Sequence, residues 1–271
     1  MNDKTSFLGR IAFRRIAVNQ PGKAEHGKEY RVTPGHPPSQ GGVVMSSRHV
    51  ERWTGAAGIA GTLIQLVAFG VFLIGAGSPP NGEAALAAFL RSGSTALQTS
   101  FLLFFVAFAV WFVFFAGLRA LITGAGPGLD FLGTTVFGLG AATVILGFVC
   151  VGMEAAATAN AVSHPDNAVI YAMYMGGSVL DGAPVAIPIV ALLGVSGWAL
   201  FRSRLLSSWV VWLSWITSVL VLVSVPALYG GDHLSGIYSA DGLVAEVLAF
   251  LPLYVWSLAV SIAIFRKPAT G

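Results

Sequence analysis

What this sequence lacks is charge. Only 10% of its 271 residues are Asp, Glu, Lys or Arg, against about 25% in a soluble domain, and the shortage is concentrated in six places. No such residue lies between Arg52 and Glu83, Arg91 and Arg119, Asp130 and Glu154, Asp181 and Arg202, Arg204 and Asp232, or Glu246 and Arg266. Each gap has room for a helix of about 20 residues, the length that crosses a hydrocarbon core of about 30 Å. With 55% hydrophobic residues and a mean hydropathy of +0.77, the chain has too little polar surface to face water. Soluble amphipathic helices keep a polar stripe, and these stretches have none.

Other absences narrow the class further. Alternation of apolar and polar residues, the mark of a membrane β-barrel, is missing from runs such as FLLFFVAFAVWFVFF (101–115). The expected fold is therefore all-α, a polytopic transmembrane bundle of six helices spanning about 53–76, 97–119, 131–154, 180–201, 205–228 and 244–265. A single cysteine, Cys150, forms no intrachain disulfide and belongs to no Cys/His zinc spacing; it reads as a small packing residue. There is no phosphate-binding Gly-rich loop with Lys, no Ser nucleophile elbow and no basic residue deep in a helix of the voltage-sensor kind. No cofactor and no nucleic acid are expected.

The charges that are present give a direction. With the N-terminus inside, fourteen of the fifteen Lys and Arg residues fall on one side, and Arg91 alone falls on the other. The positive-inside rule makes the rich side cytoplasmic. Both ends are then expected in the cytoplasm of a bacterial cell, with the bundle in its inner membrane. Trp53, Trp198, Trp209 and Trp212 gather near the inner boundary, and Tyr171, Tyr174, Tyr229 and Tyr238 near the outer one, as interfacial belts do.

Residues 1–50 are basic, polar and rich in Gly and Pro. They read as a disordered cytoplasmic tail ahead of a six-helix domain at 51–267, with no apolar stretch of signal-peptide type. SFLGRIAFRRIAV (6–18) spreads its apolar residues too widely for a clean interfacial face. Met45 opens a compact start of its own, MSSRHVERWTG, so residues 1–44 are either that tail or a mis-assigned start. In the first outer loop, Pro79 and Pro80 stop the first helix, Asn81 is placed to cap a short helix from Gly82, and Leu86, Phe89 and Leu90 share a face turned to the bilayer or the bundle rim. Glycine clusters at 55–61, 138–142 and 194–197 suit close helix contacts, within the bundle or between copies.

The most specific chemistry lies in the acids. At 1.5 Å per residue, Asp181 sits about 31 Å from Arg202, at the outer boundary. Glu154, counted from Phe131, and Glu246, counted from Arg266, reach the same level. Burying Asp181 mid-membrane instead would cost about 2.5–3.5 kcal/mol or more. This register puts AVIYAMYMGGSVL (168–180) in a helical or re-entrant piece along the outer surface, jointed at Gly176 and Gly177. Pro184 and Pro188 fall in the first turns of the fourth span, where they free carbonyls one turn earlier. Asp232, His233, Asp241, His164 and Asp166 join the acidic layer from the loops. Acids are tolerated freely on the outside of a membrane protein, which is one account of the layer. The other is an acidic cup for a cation, a proton or a cationic solute, since crowded carboxylates favour proton exchange. A metal-dependent hydrolase with His164 and His233 as ligands is a third, without a metalloprotease helix motif to support it.

The motifs RWTGAAG (52–58), GSPP (77–80), GEAALAAFL (82–90), GLRAL (117–121) and SSWVVWLSW (207–215) carry a family likeness. Over about residues 50–267 the chain resembles the uncharacterised six-helix integral membrane proteins common in actinobacteria. The resemblance implies a fold and a membrane location and supplies no mechanism. The reading from sequence is an integral membrane protein without a catalytic role. Behind it stand a small-solute, cation or proton-coupled transporter, then a membrane-embedded hydrolase. The lipid bilayer is its partner, and a membrane-protein partner or a homo-oligomer both remain open. Mass spectrometry of the native protein decides the start: an N-terminal peptide from before Met45 rules out the later one.

Overall fold

The computed structural model describes residues 47–77, 79–163, 166–225 and 243–266. Among these there are eight α-helices and no strand: α1 (Ser47–Gly75), α2 (Glu83–Ser92), α3 (Ser94–Gly124), α4 (Asp130–Ser163), α5 (Asn167–Asp181), α6 (Ala183–Ser203), α7 (Ser208–Ser224) and α8 (Leu243–Phe265). Four stretches are long and apolar enough to cross a membrane: Arg48–Gly75, Ser94–Gly124, Asp130–Ser163 and the α5–α6 run Asn167–Ser203. The stretches Ser208–Val223 and Phe250–Phe265 are apolar and shorter; the expected span 205–228 ends outside the described residues.

The contacts between helices close into a ring. α1 packs on α3, α3 on α4, α4 on α6, α6 on α7, α7 on α8, and α8 returns to α1. Its core includes Trp111, Phe114, Phe115, Leu192, Leu193 and Trp256, all nearly or fully buried. α2 and α5 stand apart from this ring. With the first turns of α3 and the last turns of α4 they enclose a second, smaller core around Leu86, Leu90, Leu97, Phe101, Ile170 and Tyr174. α4, 34 residues long, extends about 50 Å and serves both cores.

Burial of apolar surface does not hold the ring together in the usual way, because its outside is apolar too. Ile74 is 91% exposed, Phe131 76%, Trp53 65% and Trp212 62%. Close approach at small residues does much of the work instead. Gly55 and Gly58 of α1 lie against Ser261 of α8, Gly61 against the Trp111 ring, Gly117 of α3 against Thr54, Gly140 of α4 against Phe115, and Gly197 of α6 against Trp215. Most glycines of the three clusters therefore serve contacts within the chain; Gly138 meets nothing within 4 Å. Hydroxyls and one indole add bonds between helices. Thr62 and Ser257 join α1 to α8. Ser100 donates to the Ala68 carbonyl at 2.8 Å, Ser218 to the Val190 carbonyl at 2.9 Å, and Trp256 Nε1 to Ser214 Oγ at 2.8 Å.

Several expectations need correction. α2 forms in the first loop, but its capping position is Gly82, at φ 96°, with no side-chain cap; Asn81 does not cap it. Of the two expected settings for Leu86 and Leu90, the bilayer and the bundle rim, the structure has them packed against the last turns of α4 and against α5. They are buried at 2% and 0% exposure, in the small core with α4 and α5. α4 does not stop at Glu154 and runs on to Ser163. The joint is not at Gly176 and Gly177, where α5 is continuous, but at Gly182, which separates α5 from α6. Pro184 occupies the first turn of α6 and Pro188 its interior, as expected.

Two glycines of α1 offer a paired test. A Cβ at Gly58 would meet Ser261 Oγ and, at 2.7 Å, the Phe114 ring, whereas one at Gly70 would meet nothing within 4 Å. Gly58→Ala should destabilise by about 1–3 kcal/mol through overpacking. Gly70→Ala should be neutral or stabilise by about 0.5–1 kcal/mol through lost chain entropy. Thermal unfolding of the purified protein in detergent reads both.

Candidate functional site

The site is built on the hairpin of α4 and α5. Asp166 stands at the N-cap of α5, and its Oδ1 accepts hydrogen bonds from the backbone N–H groups of Ala168 at 3.1 Å and Val169 at 3.3 Å. It is a capping residue rather than part of an acidic cup. Arg91, at the end of α2, reaches both arms of the hairpin. Its Nε donates to the Ala161 carbonyl at 2.9 Å, one of the last four carbonyls of α4, which lack partners within the helix. Its Nη2 donates to Asn167 Oδ1 at 3.1 Å. Arg91 is thus a clamp on the helix ends.

From this clamp α5 runs back antiparallel along α4. Asn160 lies beside Met173, and the backbone of Gly177 approaches α4 so closely that a Cβ there would stand 2.8 Å from the Cys150 carbonyl and 2.9 Å from Glu154 Cγ. One turn later α5 ends at Asp181. The last turn of α5, which carries Asp181, is thereby set beside the Cys150–Glu154 stretch of α4. Two of the three expected helix acids are thus on neighbouring elements, Glu154 on α4 and Asp181 at the end of α5. Glu246 lies in α8, about two turns before Tyr254, and its side chain is outside the described set. Asp232, His233, Asp241 and His164 also fall outside the described residues.

Sequence reasoning missed Tyr254. The signal was available, since it is the one phenol inside the apolar run of α8. It is 9% exposed, and its ring meets Trp111 edge-on at 6.5 Å between centroids. The Trp111 Nε1–H is itself buried and has no acceptor among the described residues. Cys150 is buried as a packing residue. Among the described residues no group of three or more His, Cys, Asp or Glu is placed to hold a metal ion.

Chemically, the last turn of α5 brings a second carboxylate, Asp181, to the side of α4 that carries Glu154, and neighbouring carboxylates favour a proton or a cation near them. Comparison with family models, curated proteins and solved structures gives no match.

The clamp is directly testable. Arg91→Ala removes a charged donor from a helix end. It should lower stability by about 1 kcal/mol, discounted for the exposure of the guanidinium. Amide hydrogen exchange should quicken in α5 and in the last turns of α4, and leave α6 and α7 unchanged.

Proposed function

We propose that this chain is a non-catalytic, multi-pass protein of the bacterial inner membrane that binds a small cation or exchanges protons at Glu154 and Asp181. The proposal takes the ring helices α1, α3, α4, α6, α7 and α8 as six crossings, with both ends in the cytoplasm and with α2, α5 and the end of α4 as a cap on the outer face. Four apolar stretches of membrane-crossing length support the location. The one-sided distribution of Lys and Arg supports the orientation. Kinship with the actinobacterial six-helix proteins is part of the same proposal and rests on the short motifs alone.

Transport is favoured over a purely structural role by a single observation: the last turn of α5, which ends in Asp181 at the break before α6, lies against α4 at Glu154. Interrupted helices with ionisable groups beside the interruption are the usual architecture of solute and ion sites in membranes. The unpartnered Trp111 Nε1–H beside Tyr254 is a place for water near that site.

Two measurements test this. With the native protein in liposomes, a cation- or proton-dependent flux is expected. Glu154→Gln and Asp181→Asn should each lower it by about tenfold or more, the weight of one charge-assisted contact. No flux by the native protein, or flux unaltered by both substitutions, defeats the transport reading. For orientation, an impermeant thiol reagent should reach Ser203→Cys from the cytoplasmic side only, with little background from the buried Cys150.

A further inference from the structure

The corner between α6 and α7, far from the acids, carries a second kind of chemistry. A pocket of about 490 Å³ opens there, with a polar wall of Arg202, Arg204 and Ser208 and an apolar wall that includes Leu206 and Val211. Its lining holds two positive charges and no acid. α7 begins at its edge, and the side chain of Ser207 at the N-cap accepts nothing from the first turn. That leaves backbone donors of the kind that bind anions.

The backbone adds an independent sign. α6 ends on a residue in the left-handed region, at φ 49° and ψ 27°, and that residue is Arg204. Glycine or asparagine fills such a position without strain. Among the described residues Arg204 is the only non-glycine residue with positive φ. The turn thus sets a long cation at the corner, beside a second arginine in a pocket whose lining holds no acid. Planar guanidinium groups match phosphate oxygens in paired hydrogen bonds. The mixed walls suit a ligand that is anionic at one end and apolar at the other.

We propose that the α6–α7 corner binds a phosphate group through Arg202 and Arg204, with the headgroup of an anionic phospholipid as the fitting ligand. The leaflet it draws from rests on the orientation proposed above; the site itself does not. Basic pockets between helices at the cytoplasmic surface bind lipid headgroups in this manner. The exposed Trp198, Trp209 and Trp212 nearby supply the interfacial anchors that keep such a corner at headgroup depth.

The test uses the full chain in micelles holding phosphatidylglycerol and phosphatidylcholine in equal amounts, with retained lipid read by native mass spectrometry. Wild type should retain phosphatidylglycerol preferentially, and Arg202→Gln and Arg204→Gly should each reduce that preference by about tenfold. Arg204→Gly should at the same time keep or raise the unfolding temperature, since glycine relaxes the left-handed residue; a merely structural arginine would not separate the two readouts. In a parallel arm, inorganic phosphate is added to protein in phosphatidylcholine alone. Arginine-dependent stabilisation there assigns the phosphate site to a free anion, and its absence alongside lipid preference assigns it to the headgroup. The proposal is overturned if native protein shows neither lipid preference nor a phosphate effect, or if both substitutions leave the preference intact. Labelling of Ser203→Cys from the periplasmic side only would overturn the orientation while leaving this comparison valid.

Discussion

Close approach of helix backbones is the constraint on which the rest of this structure depends. Side chains on the outside of the ring are as apolar as those inside, so hiding the inner faces gives little preference for one packing over another. What distinguishes the native arrangement is shape: a glycine on one helix opposite a ring or hydroxyl on the next. Gly58 against Phe114 and Ser261, Gly61 against Trp111, and Gly140 against Phe115 fix the registers of α1, α3, α4 and α8. The interhelical bonds of Ser100, Ser218 and Trp256 then have well-aligned partners. Such bonds contribute about 0.6–2 kcal/mol each in membranes, enough to select a register once contact has been made.

The two cores answer different demands. In the ring, contact is between long apolar helices. In the cap, α2 and α5 are short, and each presents one buried face, Leu86 and Leu90 from α2 and Ile170 and Tyr174 from α5. Their ends are closed by polar groups, Asp166 on α5 and Arg91 across α4 and α5. The site acids lie where α5 leaves the cap and the chain enters the ring.

Uncharged runs made the long helices legible, because a helix that avoids charge for about 20 residues leaves few alternatives. The boundaries failed where one residue type serves two purposes. Glu154 marks the end of an uncharged run rather than of a helix: α4 continues past it to Ser163, with the Glu154 side chain lying against Gly177 of α5. Gly176 and Gly177 were read as a joint, whereas Gly177 is a contact, and the joint is the equally plain Gly182. Counting rise along each helix puts Glu154 and Asp181 at one level, but rise says nothing about azimuth. That the last turn of α5 lies on the Glu154 side of α4 follows from its antiparallel return, set by Gly177. Arg91 was noticed only as an exception to a charge rule, since no local pattern tells that a side chain will find a carbonyl 70 residues away.

The placement of Asp181 has a mechanical consequence. α5 is a rod of 15 residues, about 22 Å long, held near its first turn by Arg91 and Asp166 and near its last by Gly177 against α4. Asp181 rides just beyond that second hold. Moving its carboxylate therefore means lifting Gly177 off the Cys150 carbonyl, so the rod braces the acid rather than swinging it.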